Sequence, residues 1–267
     1  MIQPAIKWSG SKRSQAYKIA EFAPKEYGEY YEPFVGGGSV MYAMNPRHGI
    51  CADKCEPLIG IWKMIQKNPC ELADYYEMKW EMLQELGQEV YYNTRAAFNQ
   101  YHRPEDLLFI TRTCTNGLIR FNQDGEFNNS FHITRPGIRP DKLRDILFDW
   151  QARIKNITFD SGDYHETTED AKEGDFIYLD PPYFHTKGQY YGGIDYSVLL
   201  EYLDNLNRRG IKYILSYDGV QGSSSNIVNI PKKLYRRHEM IYSGNSSFKR
   251  VIGKENVDVY ESLYMNW

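Results

Sequence analysis

The segment Phe176-Ile-Tyr-Leu-Asp-Pro-Pro-Tyr183 closes an apolar run, of the kind that fills a buried strand, with a carboxylate, two prolines and a flat ring. Residues at the C-terminal ends of parallel strands face the crevice in which α/β folds bind ligands. Asp180 stands at such an end. Pro181 and Pro182 donate no ladder hydrogen bond and stiffen the chain, which leaves the carbonyls around Asp180 and Pro181 as fixed acceptors. Tyr183 adds an aromatic face beside them. A carboxylate, a fixed carbonyl and a ring together suit an exocyclic amino group on a planar heterocycle, although Asp-Pro also begins ordinary turns.

A second constellation lies in Tyr31–Val40, "YEPFVGGGSV", where a strand runs into three glycines and then a helical segment. Glycines let a ligand approach backbone and helix N-terminus closely. Gly36-Gly37-Gly38 lacks the G-x-G-x-x-G spacing of nicotinamide dinucleotide sites. Asp53, at the end of the next strand, is placed to accept hydrogen bonds from ribose hydroxyls. The pair favours an adenosine-bearing cofactor. Asp53 and Asp163 also sit where helix caps occur, and Trp8 and Lys12, taken singly, read as a core aromatic and a solvated charge.

The elements that must hold these residues alternate short apolar runs with helical patterns, which predicts an α/β fold with a largely parallel sheet. Strands are expected over Tyr30–Val35, Gly49–Asp53, Ile157–Phe159, Phe176–Leu179 and Ile211–Ser216, with two more over Leu234–Met240 and Val257–Tyr264. Helices are expected over Ser14–Ala23, from Asp53 to about Gln66, and along the stripe Tyr196, Leu199, Leu200, Leu203, Leu206. From Pro69 to Trp150 helical patterns follow one another without strands, as in an inserted helical domain. Within it, Gly117–His132 alternates around Asp124-Gly125, a strong hairpin signal. The polar stretch "YSGNSSFKRVIGKEN" reads as a mobile loop.

The chain has 267 residues, 42% hydrophobic and 25% charged, enough for one sizeable core with an insertion. No apolar run reaches membrane-spanning length and the first twenty residues carry no secretory pattern, so a cytoplasmic location without membrane association is expected. The four cysteines show neither disulfide-framework nor zinc spacing, so reduced thiols and no metal are expected. Net charge is -3 but uneven. Lys7–Lys18 holds four basic and no acidic residues, Lys232–Lys254 seven basic against Glu239, and Asp53–Glu89 eight acidic against four basic. Two basic segments near opposite ends could converge on a polyanion, or be separate solvated faces.

Taken in order, "KWSGSKR" (Lys7–Arg13), "EPFVGGGSV", Asp53 in "ADK", "SGDY" (Ser161–Tyr164) and "DPPY" resemble the Dam-type DNA adenine-N6 methyltransferases. The resemblance spans nearly the whole chain. It implies a Rossmann-like sheet binding S-adenosylmethionine, over residues 1–67 and 151–267, and an inserted helical target-recognition domain, over 68–150, carrying the hairpin at 117–132. It implies that Trp8 and Lys12 hold the methionine end of the cofactor, with Glu32, Phe34, Gly36 and Gly38 along it. Asp53 would take the ribose, and Asp163 with Tyr164 the cofactor adenine. Asp180 and Pro181 would accept hydrogen bonds from N6 of an adenine flipped out of double-stranded DNA, with Tyr183 stacked on that base.

DNA contacts are expected from Lys7, Arg120, Asn122, Asn128, Asn129, Arg135, Lys249 and Arg250, of which Arg120, Asn122, Asn128 and Asn129 in the hairpin are side-chain types that read base edges. The resemblance suggests GATC as target, but Ser130 and His132 stand where the family usually carries a proline and a glycine. A monomer is expected, with a cognate restriction endonuclease as a partner acting separately. Competing readings are adenine-N6 transfer on RNA, glutamine-N5 transfer on protein, a non-catalytic cofactor-binding regulator, and a nicotinamide oxidoreductase, the last opposed by the missing glycine fingerprint.

Overall fold

The computed structural model describes residues 2–182, 194–221, 224–225, 229–245 and 258–267. Its strands are β1 (Tyr30–Glu32), β2 (Gly49–Asp53), β3 (Ile157–Ser161), β4 (Phe176–Leu179), β5 (Lys212–Gln221), β6 (Ser224–Ser225), β7 (Arg237–Asn245) and β8 (Asp258–Met265). They form one sheet in the order β3-β2-β1-β4-β5-β8-β7, with β6 attached to β5. The pairs from β3 to β5 are parallel, and β8 lies antiparallel between β5 and β7. The sheet is Rossmann-like: sequence order runs outward in both directions from β1 and β4, so the ends of those two strands flank a topological switch point.

Alternate residues of the central strands feed two cores, as the two-residue period of a strand requires. Tyr30, Phe176, Tyr178 and Ile214 pack on one face, and Tyr31, Ile177, Leu179, Tyr213 and Leu215 on the other. Helix α8 (Tyr196–Arg208) covers the second face through Leu199, Leu203 and Leu206, its start capped by Asp195. The first face is covered by α1 (Ala16–Phe22) and α3 (Glu56–Lys67), and α2 (Ser39–Met44) packs on α1. Strand β1 ends three residues before the expected Val35, because Pro33 offers no ladder donor and the Val35 N–H turns to the Ala52 carbonyl at 2.8 Å. Strand β7 begins at Arg237 rather than Leu234, behind a short 3-10 turn at Lys232–Leu234.

Four helices fill the middle of the chain: α4 (Pro69–Leu86), α5 (Glu89–Tyr101), α6 (Pro104–Thr113) and α7 (Pro140–Arg153). Three of them open on proline, which fits a first turn whose N–H has no partner. Their core is continuous with that of the sheet, since Leu107, Phe109, Leu143 and Trp150 belong to the same buried cluster as Tyr30 and Phe176. No helix among the described residues is long and apolar enough to cross a membrane.

The expected hairpin is narrower than its alternating pattern suggests. A turn closes at Gly125 (φ 80°), with the Asn122 N–H bonded to the Glu126 carbonyl at 2.9 Å, but only the bridges Phe121–Phe127 and Cys114–Phe131 are recorded there. The second leg spends its backbone groups on α5: Asn99 both accepts from the Phe127 N–H and donates to its carbonyl, and Tyr91 and Arg95 donate to the Asn129 carbonyl. Groups bonded to a helix cannot extend a ladder.

The N-terminal segment is fastened to this helical region by Arg112 of α6. Its guanidinium is buried, 3% exposed, and donates to the Pro4 and Ala5 carbonyls, while Trp150 of α7 donates to Gln3 and Arg13 to Ile2. Burial, with Arg13 nearby, pushes the Arg112 pKa down to about 10. Replacing Arg112 with alanine strands those carbonyls and should lower unfolding free energy by at least roughly 1.5–3 kcal/mol, measured by urea denaturation. An unchanged midpoint contradicts the fastening.

Candidate functional site

A cavity opens at the C-terminal ends of β1, β2 and β4, enclosing about 1080 Å³ including its open mouth. One wall is the loop Gly36–Gly38. Gly36 and Gly38 both hold positive φ, 46° and 65°, and a side chain at Gly36 would come within 2.9 Å of the Trp8 indole. Glycine there is what lets Trp8 close on the loop. The Gly36 carbonyl accepts from Trp62 Nε1 at 3.0 Å, which fixes the loop from below. Asp53, ending β2, accepts from the Gly36 and Cys55 N–H groups at 3.1 and 3.0 Å and so ties the loop to the start of α3. Burial nevertheless pushes its carboxyl up to about 6.

Phe34 and Tyr164, both in the cavity lining, pack against each other with ring centroids 5.3 Å apart. The Tyr164 hydroxyl is buried with no hydrogen-bond partner. Asp163, expected to contact a bound adenine, is absent from the cavity lining. It accepts from the His165 N–H at 3.0 Å and pairs with Lys54 at 2.6 Å, and Lys54 rather than Asp163 reaches the lining. Although its partial burial acts the other way, Lys54 and the His165 N–H hold the Asp163 carboxyl below its ordinary value.

At the floor, Lys12 Nζ lies 2.7 Å from Asp180 Oδ1 and 3.7 Å from Glu261 Oε1, with the lysine 6% exposed. Burial pushes the Asp180 carboxyl up to about 6, Lys12 pulling it down and Glu261 pushing it up. Glu32 is buried beneath, accepting from the Tyr30 hydroxyl at 2.6 Å. Burial first, and Asp180 in addition, push its carboxyl up to about 8. Pro181 lines the cavity next to Asp180. Three acidic side chains, Glu32, Asp53 and Asp180, thus line one hollow, with the Lys12 ammonium buried among them and the exposed Lys54 at the lining.

The helical region closes the cavity from above. Ile119 and Phe121 are buried in its lining, and the Ile119 N–H donates to Ser9 Oγ at 2.8 Å, joining this segment to the Trp8 loop. Of the four expected base-reading side chains, Arg120 and Asn128 are exposed, paired through the Asn128 N–H and Arg120 carbonyl at 3.0 Å. The other two are engaged internally. Asn122 accepts from the Asp124 and Glu126 N–H groups and donates to the Glu126 carboxylate, building the turn itself. Asn129 donates to the Thr115 and Leu118 carbonyls and accepts from the Ser130 N–H. Their amides hold the loop in shape, which the alternation of residue types did not reveal.

Residues 8–246 match the model of the D12 class N6 adenine-specific DNA methyltransferases. The chain belongs to that family. It is 28% identical across its full length to the type II methyltransferase M.MjaIII of Methanocaldococcus jannaschii, covering 99% of that protein. It is 27% identical over 68% of its length to the type II methyltransferase M1.LlaDCHI of Lactococcus lactis subsp. cremoris, covering 66% of it. Similarity to the DNA N-6-adenine-methyltransferase of Escherichia phage P1 is 32% over 80% of this chain but only 29% of that protein.

In this member of the D12 family, Lys7 lies against Gly117. Desolvation first, then Arg112, Arg13 and Arg135, lowers its pKa, so cations converge there. The two basic segments also meet: Ser14 donates to the Ser243 carbonyl at 3.1 Å, and Arg237 of β7 and Lys18 of α1 both lie over the Phe22 ring. Tyr183, Lys249 and Arg250, and the polar loop beyond Asn245, lie outside the described residues. Sequence reasoning missed Lys54, Ile119, Phe121 and Glu261. The alternation around Arg120 could have marked Ile119 and Phe121 as inward-facing; nothing local marks Glu261.

The raised carboxyls carry a sign. An acid whose folded pKa lies above its unfolded value adds stability below the unfolded value and loses it as pH rises through the folded one. Glu32, with an ordinary value of 4.5 and pushed up to about 8, should make the ligand-free protein less stable as pH climbs between those points. The slope from this group is at most about 1.4 kcal/mol per pH unit. Glu32→Gln should flatten that decline in urea midpoints measured from pH 5 to 8, and an equally steep decline in the variant would remove Glu32 as its source.

Proposed function

We propose that this chain is a site-specific DNA methyltransferase that moves the methyl group of S-adenosylmethionine to N6 of an adenine flipped out of duplex DNA. The observation that carries the reading is Asp180, a half-buried carboxylate just past β4, beside Lys12 and Pro181, opening on the same cavity as the glycine loop and Asp53. The cavity suits the cofactor: its carboxylates favour a cation, and the unpartnered Tyr164 hydroxyl would find one in a bound ligand. When bound, S-adenosylmethionine supplies an electrophilic methyl on a sulfonium centre.

The chain's own groups do the rest. Trp8 and the Gly36–Gly38 backbone cradle the cofactor, Lys12 links its methionine end to Asp180, and the Asp53 carboxylate retains lone pairs for ribose hydroxyls. Phe34 and Tyr164 flank the adenine end, with Asp163 acting through Lys54. The N6 lone pair of adenine is delocalised into the ring and is a weak nucleophile. Asp180 and the Pro181 carbonyl, accepting from the amino group, draw it toward tetrahedral geometry and stabilise the charge that develops on it. Tyr183 is assigned to stack on the target ring and hold it in line.

DNA is assigned to the face where Lys7, Arg13 and Arg135 gather, with the inserted region 68–150 as the target-recognition part. GATC is the leading target, and the type II relatives make a separately acting restriction endonuclease the partner to seek. The long helical insertion favours duplex DNA over RNA or a protein glutamine. The chain is taken to act as a cytoplasmic monomer.

Labelled methyl from S-adenosylmethionine should enter duplex DNA as N6-methyladenine, and transfer to RNA or protein alone would overturn the substrate. Asp180→Ala should cut transfer by at least about a hundredfold. Activity within about tenfold of the wild type would remove Asp180 from catalysis. Arg120→Ala and Asn128→Ala should each cost about 1–3 kcal/mol of discrimination against single-base mismatches while cofactor affinity holds. Asn129→Ala should instead lower the urea midpoint, its amide being a loop brace. Equal mismatch preference in all three variants and the wild type would assign target reading elsewhere.

A further inference from the structure

Resting on the reading above, we propose that Glu261 of β8 is a positioning residue of the methyl-transfer site, sharing Lys12 with Asp180 and so setting the charge that Asp180 presents to the target amino group. Glu261 stands far from "DPPY" in the chain and two strands away in the sheet, with β5 between them. A local irregularity lies opposite it. The β5–β8 register shifts between Tyr217 and Gly219, and the residue paired with Glu261 across that ladder is Gly219. A side chain at Gly219 would collide with the Tyr260 backbone carbonyl, so only glycine permits β8 to lie this close.

From β8 the Glu261 carboxylate extends to Lys12 at 3.7 Å while Lys12 holds Asp180 at 2.7 Å. Both acids are largely withdrawn from water, 13% and 18% exposed. An acidic side chain taken from solvent beside another acid is costly unless a cation is shared. Lys12 is that cation. Two carboxylates on one ammonium leave the cluster with one net negative charge, where a simple Lys12–Asp180 pair would be neutral. A neutralised Asp180 is a weaker acceptor for an amino group acquiring positive charge, so the second acid preserves the acceptor strength that the reaction draws on.

The other charged or titratable groups facing Asp180 among the described residues are Glu32 from β1 and Tyr178 from its own strand, the latter bonded to Ser216 at 2.8 Å. Burial is the first cause of the raised Asp180 carboxyl, as it is for Asp53 and Glu32, and Glu261 pushes Asp180 further upward, against Lys12. Removing the Glu261 charge therefore has a direction. Asp180 should ionise at lower pH.

The test is the pH profile of methyl transfer to duplex DNA under saturating S-adenosylmethionine, comparing wild type with Glu261→Gln and Glu261→Met. The acid limb should move to lower pH in both neutral variants, by roughly half a unit or more, and return toward the wild-type position in Glu261→Asp. Using two neutral variants keeps the test open if one fails to fold. An acid limb unmoved in an active neutral variant, even with reduced rate, marks Glu261 as merely structural and overturns the proposal. A limb moving to higher pH overturns it too. A wild type that transfers no methyl to DNA would instead overturn the reading on which the proposal rests, so the two failures are distinct.

Discussion

The contact between Lys12 and Asp180 is the constraint on which the site depends. It joins a loop near the N-terminus to the residue that follows β4, and it places a buried ammonium against a half-buried carboxylate where neither would be stable alone. Such a pair needs both backbones held independently. On one side the sheet does this: β4 is buried along its whole length between β1 and β5, so the chain leaves it at a fixed point. On the other side the helical region does it, through Arg112 and Trp150 gripping residues 3–5. The middle of the chain is therefore part of what positions the Lys12 loop, as well as the part assigned to target choice.

That shared duty explains why the core is continuous. A recognition element attached only through flexible linkers would make relative motion the default. Here α3, under the glycine loop, packs against both α6 and α7, and Ser9 in the Trp8 loop holds the Ile119 backbone. The same short segment then offers Arg120 and Asn128 outward and Ile119 and Phe121 inward. A single alternating run links the proposed reading of a base to the wall of the proposed cofactor cavity, and a change of one face shifts the other by the rigidity of a packed segment.

The electrostatics has one theme. Asp53, Glu32 and Asp180 all have carboxyls pushed above their ordinary values, in each case first by burial. Acids gathered around few cations are held toward their neutral forms, and a cationic ligand would draw those values back down. The proposed sulfonium cofactor is such a ligand, and perturbed acids gathered in a cleft are a common mark of a functional site. Glu261 adds to this deficit of positive charge rather than correcting it.

Much of the architecture was legible because it is written in local periodicity. The apolar runs at Gly49–Asp53 and Phe176–Leu179 became strands with those bounds, and the stripe ending at Leu206 became α8. The glycines beside Asp53 and the acid beside two prolines came together because strand ends of a parallel sheet share one edge. The order of motifs was enough to suggest the family. Tertiary structure decided what depends on partners distant in sequence. The alternating run after Gly117 did not become a regular ladder because Asn99, Tyr91 and Arg95 on α5 took its backbone groups. Asn129 was drawn inward by the Thr115 and Leu118 carbonyls, and Asp163 was claimed by Lys54. Glu261 reached the site only because β8, late in the chain, pairs with β5 beside β4. Sequence determines which groups exist and how each short segment prefers to run; which donor meets which acceptor is settled only when remote segments pack, because a hydrogen bond or ion pair is a property of two positions in space.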